Sequence, residues 1–252
     1  YYKMALVLEN GVWLLQSGGS NVTAVAQTLS PAAGTPSSIA DGATLDAGML
    51  NGWVVKDPNG VFNAVVDDGT TCNIKFDQGD GGTGTPSNGN GFLTNGRIQY
   101  SSLLMGDFDF AIYVDQGASA NSVNTEIAIM AGAGDTSNEA HWLGHRYGRW
   151  NAANAKYYGM GAWGSGALIY NGTSNVSRTT ARWVGIKRVS QTVSFREGGT
   201  AATPSWSDTD KQWDAGGGAA RIAISFYAGG SDEETYRLYK VILNGSEYTA
   251  TP

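Results

Sequence analysis

The chain has 252 residues, of which 15% are charged, and carries a formal net charge of -6 at pH 7. This charge argues against nucleic-acid binding, because that affinity comes from Lys and Arg residues that neutralise phosphates. No stretch approaches the roughly 20 apolar residues of a membrane-spanning helix, so the sequence predicts no membrane insertion. A single cysteine, Cys72, excludes an internal disulfide.

The first 47 residues differ from the rest of the chain. Two short apolar runs, Met4–Leu8 and Val12–Leu15, precede a segment at 28–38 that is rich in Pro, Ser, Ala and Gly. These residues are too few to form a core, so we predict that residues 1–47 are an N-terminal arm or strand pair and that residues 48–252 are one domain. Because the apolar runs are costly to leave in water, we expect them to add strands to this domain's sheet or to a neighbouring copy.

From residue 48 onward, apolar and polar residues alternate in short runs, whereas helical periodicity is nearly absent. Tight-turn residues separate the runs, as at Asp57–Gly60, Asp67–Gly69 and Asn95–Gly96. This spacing of short strands is typical of a sandwich, jelly roll or barrel. The predicted strands are Val61–Val66, Asn73–Phe76, Arg97–Leu103, Phe108–Val114, Glu126–Met130, Trp183–Val189, Val193–Arg196, Ile222–Tyr227 and Tyr236–Leu243.

One hairpin carries a family resemblance. Residues 183–197 read as two alternating strands around a polar turn, and they are followed by two glycines and a Pro-Ser-Trp segment. With a strand at 107–114 upstream and another at 221–226 downstream, residues 48–245 resemble the concanavalin A-like (laminin G-like) jelly rolls. The resemblance implies an all-β fold, an antiparallel β-sandwich of the concanavalin A-like jelly-roll type, preceded by an extended N-terminal arm. It implies a fold and not a function.

The same hairpin makes a prediction about side-chain direction. Because successive residues of a strand point to opposite faces, the residues of the 183–189 strand divide into two sets. We expect this strand to lie inside the sandwich, with Val184, Ile186 and Arg188 on one face. Trp183, Gly185 and Lys187 are then expected on the other face.

Aromatic and basic residues concentrate between positions 142 and 170. Flat, partly polar rings can stack on the apolar faces of sugars, while Arg and His side chains hydrogen-bond the hydroxyl groups. The alternative is that these residues belong to the core or to a subunit interface, where the same residue types are enriched. The predicted ligand-binding residues are Trp142, His145, Arg146, Tyr147, Arg149, Trp150, Tyr157, Tyr158 and Trp163.

Metal binding has little support in the sequence. His141 and His145 are the only histidines, and no third ligand with zinc-site spacing lies near them. Oxygen-rich turns of the kind that hold calcium do occur, but the EF-hand spacing is missing and tight turns use the same residue types. We therefore predict no cofactor and keep calcium as an alternative. The acidic turn residues concerned are Asp67, Asp68, Asp77 and Asp80.

A catalytic pattern is also missing. Glycosidases need two carboxylates at a set separation, and the laminarinase-type members of the resembled superfamily place theirs as Glu-x-Asp-x-x-Glu on one strand. Here Glu126 has no partner in register, and Asp107 and Asp109 share a face but lack a glutamate. No Gly-x-Ser-x-Gly motif occurs either. The sequence therefore predicts that the protein is not an enzyme.

Three functional classes remain. The main prediction is a non-enzymatic virion surface protein, a bacteriophage tail, fibre or capsid-decoration component with glycan-binding capacity. Its basis is a resemblance in style to phage structural proteins, with low charge, many small polar residues, no disulfide and no leader. The predicted partners are copies of itself, neighbouring virion proteins and a host surface glycan. The alternatives are a secreted bacterial carbohydrate-binding module or adhesin, located outside the cell, and a polysaccharide-cleaving enzyme with an unrecognised site.

Overall fold

A computed structural model describes sixteen stretches of the chain, and every element in them is a strand. In this part of the chain, no helix is long and apolar enough to span a membrane. The described residues are 4–9, 12–17, 20–23, 33–76, 96–102, 107–116, 124–133, 142–150, 155–161, 168–171, 179–190, 192–198, 205–212, 220–228, 233–243 and 246–249. Side chains are described at 33–76, 96–102, 107–116, 127, 129, 179–190, 192–195, 198, 221–226 and 233–243.

Eighteen strands occur in these stretches. The first nine are β1 (Met4–Glu9), β2 (Val12–Ser17), β3 (Ser20–Thr23), β4 (Val54–Lys56), β5 (Phe62–Asp67), β6 (Cys72–Phe76), β7 (Arg97–Gln99), β8 (Phe108–Gln116) and β9 (Asn124–Ala133). The others are β10 (Trp142–Trp150), β11 (Ala155–Gly161), β12 (Leu168–Asn171), β13 (Arg182–Val189), β14 (Thr192–Gly198), β15 (Ser205–Gln212), β16 (Ala220–Ala228), β17 (Glu234–Leu243) and β18 (Ser246–Thr249).

Two antiparallel sheets form the sandwich. One has seven strands in the order β12-β11-β10-β9-β16-β7-β4, and the other has eight, in the order β15-β14-β13-β8-β17-β6-β5 with β18 beside β17. Some neighbouring strands of the eight-stranded sheet are consecutive in the chain, whereas others lie far apart in the sequence, as with β8 and β17. The predicted all-β antiparallel sandwich is therefore confirmed.

The core lies between the two sheets and is built from alternating apolar positions. On β8, Phe110, Ile112 and Val114 are fully buried and belong to one hydrophobic cluster that includes residues of both sheets. From the seven-stranded sheet, the ring of Phe226 lies 5.3 Å from that of Phe76 on the other sheet. Burial of an apolar side chain contributes about 1.5–3 kcal/mol, so this interior explains why period-2 runs in the sequence become sheets with one dry face.

The segment before β4 also packs on the sandwich. Leu45 and Leu50 are fully buried in the core, together with Trp53, although these positions show no strand periodicity. The carboxylate of Asp67 at the end of β5 accepts hydrogen bonds from the backbone N–H groups of Met49 at 2.8 Å and Gly69 at 2.9 Å. These contacts join the end of the predicted arm to the sandwich, and the division at residue 47 stays a prediction.

The strands of the N-terminal arm pair with one another. β1, β2 and β3 form a separate three-stranded antiparallel sheet in which Glu9 lies opposite Val12. The expectation that the apolar runs add strands to a sheet of this domain is therefore wrong. The physical reason is that adjacent runs satisfy each other's backbone groups locally, through the antiparallel pairing of β1 with β2 and of β2 with β3. Pairing with a neighbouring copy stays a prediction.

The predicted 183–189 strand is β13, which lies between β14 and β8. Val184 and Ile186 belong to the hydrophobic core, whereas the ring of Trp183 contacts Tyr113 on the opposite face. Gly185 is required because a Cβ there would lie 2.6 Å from both the Cβ of Ala111 and the carbonyl oxygen of Phe110. The predicted direction of these side chains is confirmed.

Candidate functional site

The backbone brings most of the predicted ligand-binding residues onto two neighbouring strands. Positions 142, 145, 146, 147, 149 and 150 lie on β10, and positions 157 and 158 lie on β11. In the register of these strands, Tyr147 is opposite Tyr157 and Arg146 is opposite Tyr158. The side chains of these eight residues lie outside the described set, and Trp163 lies outside the described residues altogether. The site on these strands stays a prediction.

The acidic turns that suggested calcium have a structural role where they are described. Asp68 accepts hydrogen bonds from the backbone N–H groups of Thr70 and Thr71, both at 2.8 Å, and these bonds lower the pKa of its carboxyl group. Asp67 binds backbone N–H groups in the same way. Among the described residues, no group of three His, Cys, Asp or Glu is arranged to hold a metal ion. Asp77 and Asp80 lie outside the described residues.

A different set of polar and aromatic residues meets on the outer face of the eight-stranded sheet, the face turned away from the core. On β8, Tyr113 and Asp115 alternate with the core residues Ile112 and Val114 and therefore point outward. We call the set that gathers around them the outer-face cluster. Its members are Tyr113, Asp115, Trp183, Arg237 and Tyr239.

A β-bulge on β17 shapes this cluster. Leu238 lies opposite Val114 and Lys240 lies opposite Tyr113, so Tyr239 is an extra residue that has no counterpart on β8. After the bulge the alternation is shifted, and Lys240 falls on the outer face although Leu238 and Val241 are both buried in the core. Bulges of this kind redirect side chains and are common beside functional sites. Here the bulge places two adjacent polar residues on one face.

Asp115 lies at the centre of the hydrogen bonds in the cluster. Its Oδ1 accepts from Nε of Arg237 at 2.7 Å, and its Oδ2 accepts from an Nη2 N–H of Arg237 at 2.8 Å. The hydroxyl of Tyr239 donates to the same Oδ2 at 2.9 Å. The carboxylate side chain is only 3% exposed, whereas the guanidinium side chain is 38% exposed. The carboxylate is therefore fully engaged inside the protein, and the cation faces outward.

These contacts shift two pKa values in the same direction. The hydrogen bond to Asp115 raises the pKa of Arg237, which stays charged in any case. Burial raises the pKa of Tyr239, and the hydrogen bond to Asp115 and its negative charge raise it further. At neutral pH the cluster thus presents a cationic guanidinium and a protonated phenol.

The aromatic part of the cluster consists of three rings in sequence. The ring of Tyr113 lies 5.2 Å from that of Trp183 and 5.8 Å from that of Tyr239, in tilted arrangements. Trp183 is 1% exposed and packs against Tyr113 from the neighbouring strand β13, whereas Tyr113 and Tyr239 are half-buried. Two partly accessible rings with a guanidinium beside them can stack on one flat ligand ring and hydrogen-bond its substituents.

The sequence pattern does not place these residues in one cluster. It predicts the three contributing strands, β8, β13 and β17, but as structural elements only. The available signal was that polar residues interrupt the apolar pattern at Asp115, Arg237 and Lys240. Their proximity depends on the pairing of β8 with β17, which joins residues 122 positions apart.

No protein-family model and no curated protein matches this sequence. Solved structures do match its fold. A structure reported for endo-acting O-glycanases, which prominent members of the human gut microbiota express to initiate mucin breakdown, is 11% identical and has a TM-score of 0.52. The match covers 76% of this chain and 91% of that chain. A legume lectin-like domain from Entamoeba histolytica is 10% identical, with a TM-score of 0.51 and coverage of 76% and 88%.

A third match, at a TM-score of 0.50, is a functionally unknown protein from Saccharomyces cerevisiae; it is 9% identical and covers 76% of this chain and 95% of that chain. Neighbours with lower TM-scores include alginate lyases. At these identities the likeness shows the fold, which is that of the concanavalin-like lectin and glucanase jelly rolls. The predicted resemblance is confirmed at that level. These matches are not described as phage proteins, so the virion location and the virion partners stay predictions.

The prediction that the protein is not an enzyme is wrong. It depended on the lack of a recognisable carboxylate motif, yet the O-glycanase structure has this fold at 11% identity. Enzymes of this architecture are therefore among the proteins that the chain is similar to. The physical reason for the error is that catalytic carboxylates are positioned by strand pairing, so a motif on one strand is not required.

Proposed function

We propose that this protein is carbohydrate-active and binds an oligosaccharide on the outer face of its eight-stranded sheet, at the outer-face cluster. The observation that carries the proposal is the geometry of Tyr113 and Tyr239, two half-buried rings 5.8 Å apart beside the guanidinium of Arg237. The rings suit the apolar faces of a sugar, and the guanidinium suits its oxygen atoms. The fold shared with a lectin-like domain and with the O-glycanase structure supports the same conclusion.

Binding is tested by affinity electrophoresis and calorimetry against a panel of neutral and acidic polysaccharides. Tyr113→Ala removes the central ring, and we expect it to weaken binding to the best ligand about tenfold or more, since a stacked ring contributes on the order of 1–3 kcal/mol. The matched control is Tyr100→Ala, which removes a partly buried tyrosine that packs against Trp53 and the core, outside the cluster. Equal losses in both variants, or no binding by the native protein, would contradict the proposal.

Cleavage of the bound glycan is a second candidate, which the O-glycanase neighbour favours. Asp107 directly precedes β8 and Asp109 is its second residue, which places their Cα atoms about 7 Å apart. The Oδ1 of Asp107 accepts a hydrogen bond from the backbone N–H of Ser190 at 2.6 Å. Because side chains two residues apart on a strand point to the same face, the two carboxyl groups can reach the separation of about 5–9.5 Å found in glycosidases. By contrast, Asp109 and Asp115 are six residues apart on one strand, about 20 Å, and are too distant to act as such a pair. Position 109 is about 13 Å from Tyr113 along β8, so one oligosaccharide can span both.

Cleavage is tested by measuring new reducing ends released from each polysaccharide that the protein binds. We expect Asp107→Asn and Asp109→Asn each to lower the rate at least a hundredfold while binding is kept. A control, Glu233→Gln, removes an exposed carboxylate that pairs with Lys75 elsewhere on the sheet, and it should leave the rate unchanged. Release that persists in both aspartate variants would reject this pair as the catalytic groups.

A further inference from the structure

We infer that the outer-face cluster selects acidic glycans, which carry carboxylate or sulfate groups, over neutral ones. This inference rests on the proposed function, since it names the class of sugar that the proposed site recognises. It follows from a difference between acceptors and donors in the cluster: the acceptors are hydrogen-bonded within the protein, whereas donors remain accessible to a ligand.

The acceptors of the cluster are engaged and buried. Both oxygens of Asp115 accept hydrogen bonds from Arg237 or Tyr239, and the side chain is 3% exposed. A neutral sugar presents hydroxyl groups that donate as well as accept, and a site for it profits from accessible carboxylates. In the outer-face cluster, the carboxylate of Asp115 is therefore not available to accept a hydrogen bond from a sugar hydroxyl group.

The remaining donors of Arg237 are accessible. Arg237 uses Nε–H and one Nη2 N–H for Asp115, and its remaining N–H groups belong to a side chain that is 38% exposed. The bulge adds a second cation, because it places Lys240 on the outer face directly opposite Tyr113. Two cations thus flank the aromatic rings in a chain whose net charge is -6. A sugar ring that carries an anionic group matches this arrangement of rings and donors.

The position of Lys240 also suggests how the site distinguishes ligands. Without the bulge, the residue after Tyr239 would point into the core, as Leu238 and Val241 do. Burial of a lysine in the core would carry a large desolvation cost. A lysine at position 240 therefore requires the bulge. In the proposed site, Lys240 is then the residue that distinguishes acidic from neutral ligands, and Asp115 fixes Arg237 in position.

The experiment measures the affinity of the full chain for three probes of matched length, which are a neutral galactan, an oligogalacturonate and a sulfated galactan. We expect tighter binding of one or both acidic probes than of the neutral one, and weaker acidic binding as salt is added. The carboxylate and sulfate probes show which anionic group is preferred. Lys240→Gln should weaken acidic binding about tenfold and neutral binding much less, because only the acidic probes lose a charge-assisted hydrogen bond.

The matched control is Lys75→Gln, which removes the same charge from the same face of the sheet. Lys75 pairs with Glu233 at 3.2 Å and lies opposite Thr235, about 15 Å along β17 from Lys240. Lys240→Glu should weaken acidic binding further than Lys240→Gln, and thermal melting checks that each variant is folded. Equal binding of neutral and acidic probes, or equal effects of the Lys75 and Lys240 variants, would overturn the inference and leave the proposed function standing. If none of the probes binds, both are overturned.

Discussion

The two faces of the eight-stranded sheet are made from the same strands but are held together differently. On β8, the inward Phe110 and Ile112 are fully buried among apolar neighbours of both sheets. The outward Tyr113 and Asp115 instead make tilted ring contacts and charge-assisted hydrogen bonds on the outer face. The stability of the inner face therefore depends on the side-chain volume and apolar area that it buries. The stability of the outer face depends on the geometry of a few hydrogen bonds and ring contacts.

The comparison shows why a site can be placed on this sheet without weakening the fold. The core accommodates the bulge at Tyr239 because the apolar positions of β17 shift with it, from Leu238 before the bulge to Val241 after it. Hydrogen bonds are directional, so the outer face gains a defined arrangement from the same bulge. Each face can then be altered separately, and the following changes test that separation.

The largest effect is expected on the inner face. Phe110→Ala removes a fully buried ring that lies 5.7 Å from Trp53, and the cavity should lower the free energy of unfolding by about 3–5 kcal/mol. Tyr113→Ala, three residues later on the same strand, should cost only about 1–2 kcal/mol through its lost ring contacts. Urea unfolding of both variants measures the difference. Equal losses of unfolding free energy in the two variants would mean that the inner and outer faces contribute to stability in the same way.

An intermediate effect is expected at the ion pair of the outer face. Asp115→Asn removes the charge that orients Arg237 and should lower the free energy of unfolding by about 1–3 kcal/mol. The value lies well below that of a fully buried pair because Arg237 is 38% exposed. A double-mutant cycle with Arg237→Gln isolates the coupling between the two side chains. Strictly additive losses would show that the pair contributes no interaction energy.

A smaller effect that depends on pH is expected at Tyr239. Its pKa is raised above the ordinary value of 10.0, so the fold favours the neutral phenol over the phenolate. The corresponding stability is fully present below pH 10 and is lost as the pH rises through the folded-state pKa. Tyr239→Phe should cost about 0.5–1.5 kcal/mol at neutral pH and should lose less stability than the native protein above pH 10. Urea unfolding across this range tests it, and parallel losses in both proteins would contradict it.

The smallest effect is expected from modification at Cys72, on the inner face of β6. The side chain belongs to the core, and burial raises the pKa of its thiol, with further contributions from Asp67 and Asp68. Since the thiolate is the reactive form, a thiol reagent should leave the native protein unlabelled and react fully in denaturant. Glycan binding should be unchanged after exposure of the folded protein to the reagent. Rapid labelling of the native chain would show that this part of the core opens readily.

The sequence by itself determined several of the strands of the sandwich and which of their residues point inward. The run predicted at 108–114 is β8, and the runs predicted at 183–189 and 236–243 are β13 and most of β17. This succeeded because alternation is a local property of an extended chain with one dry face. It failed at Leu45, Leu50 and Trp53, which enter the core from turns that have no period.

Only the tertiary structure decided that Asp115, Arg237 and Tyr239 form one cluster. Their contact requires β8 and β17 to be neighbours, and it requires a bulge to place Tyr239 and Lys240 on one face. Neither feature is specified by the residues of a single strand. Strand order depends on which pairings bury the most apolar surface across the whole sheet, and a shift of one residue in register reverses the face of every side chain that follows.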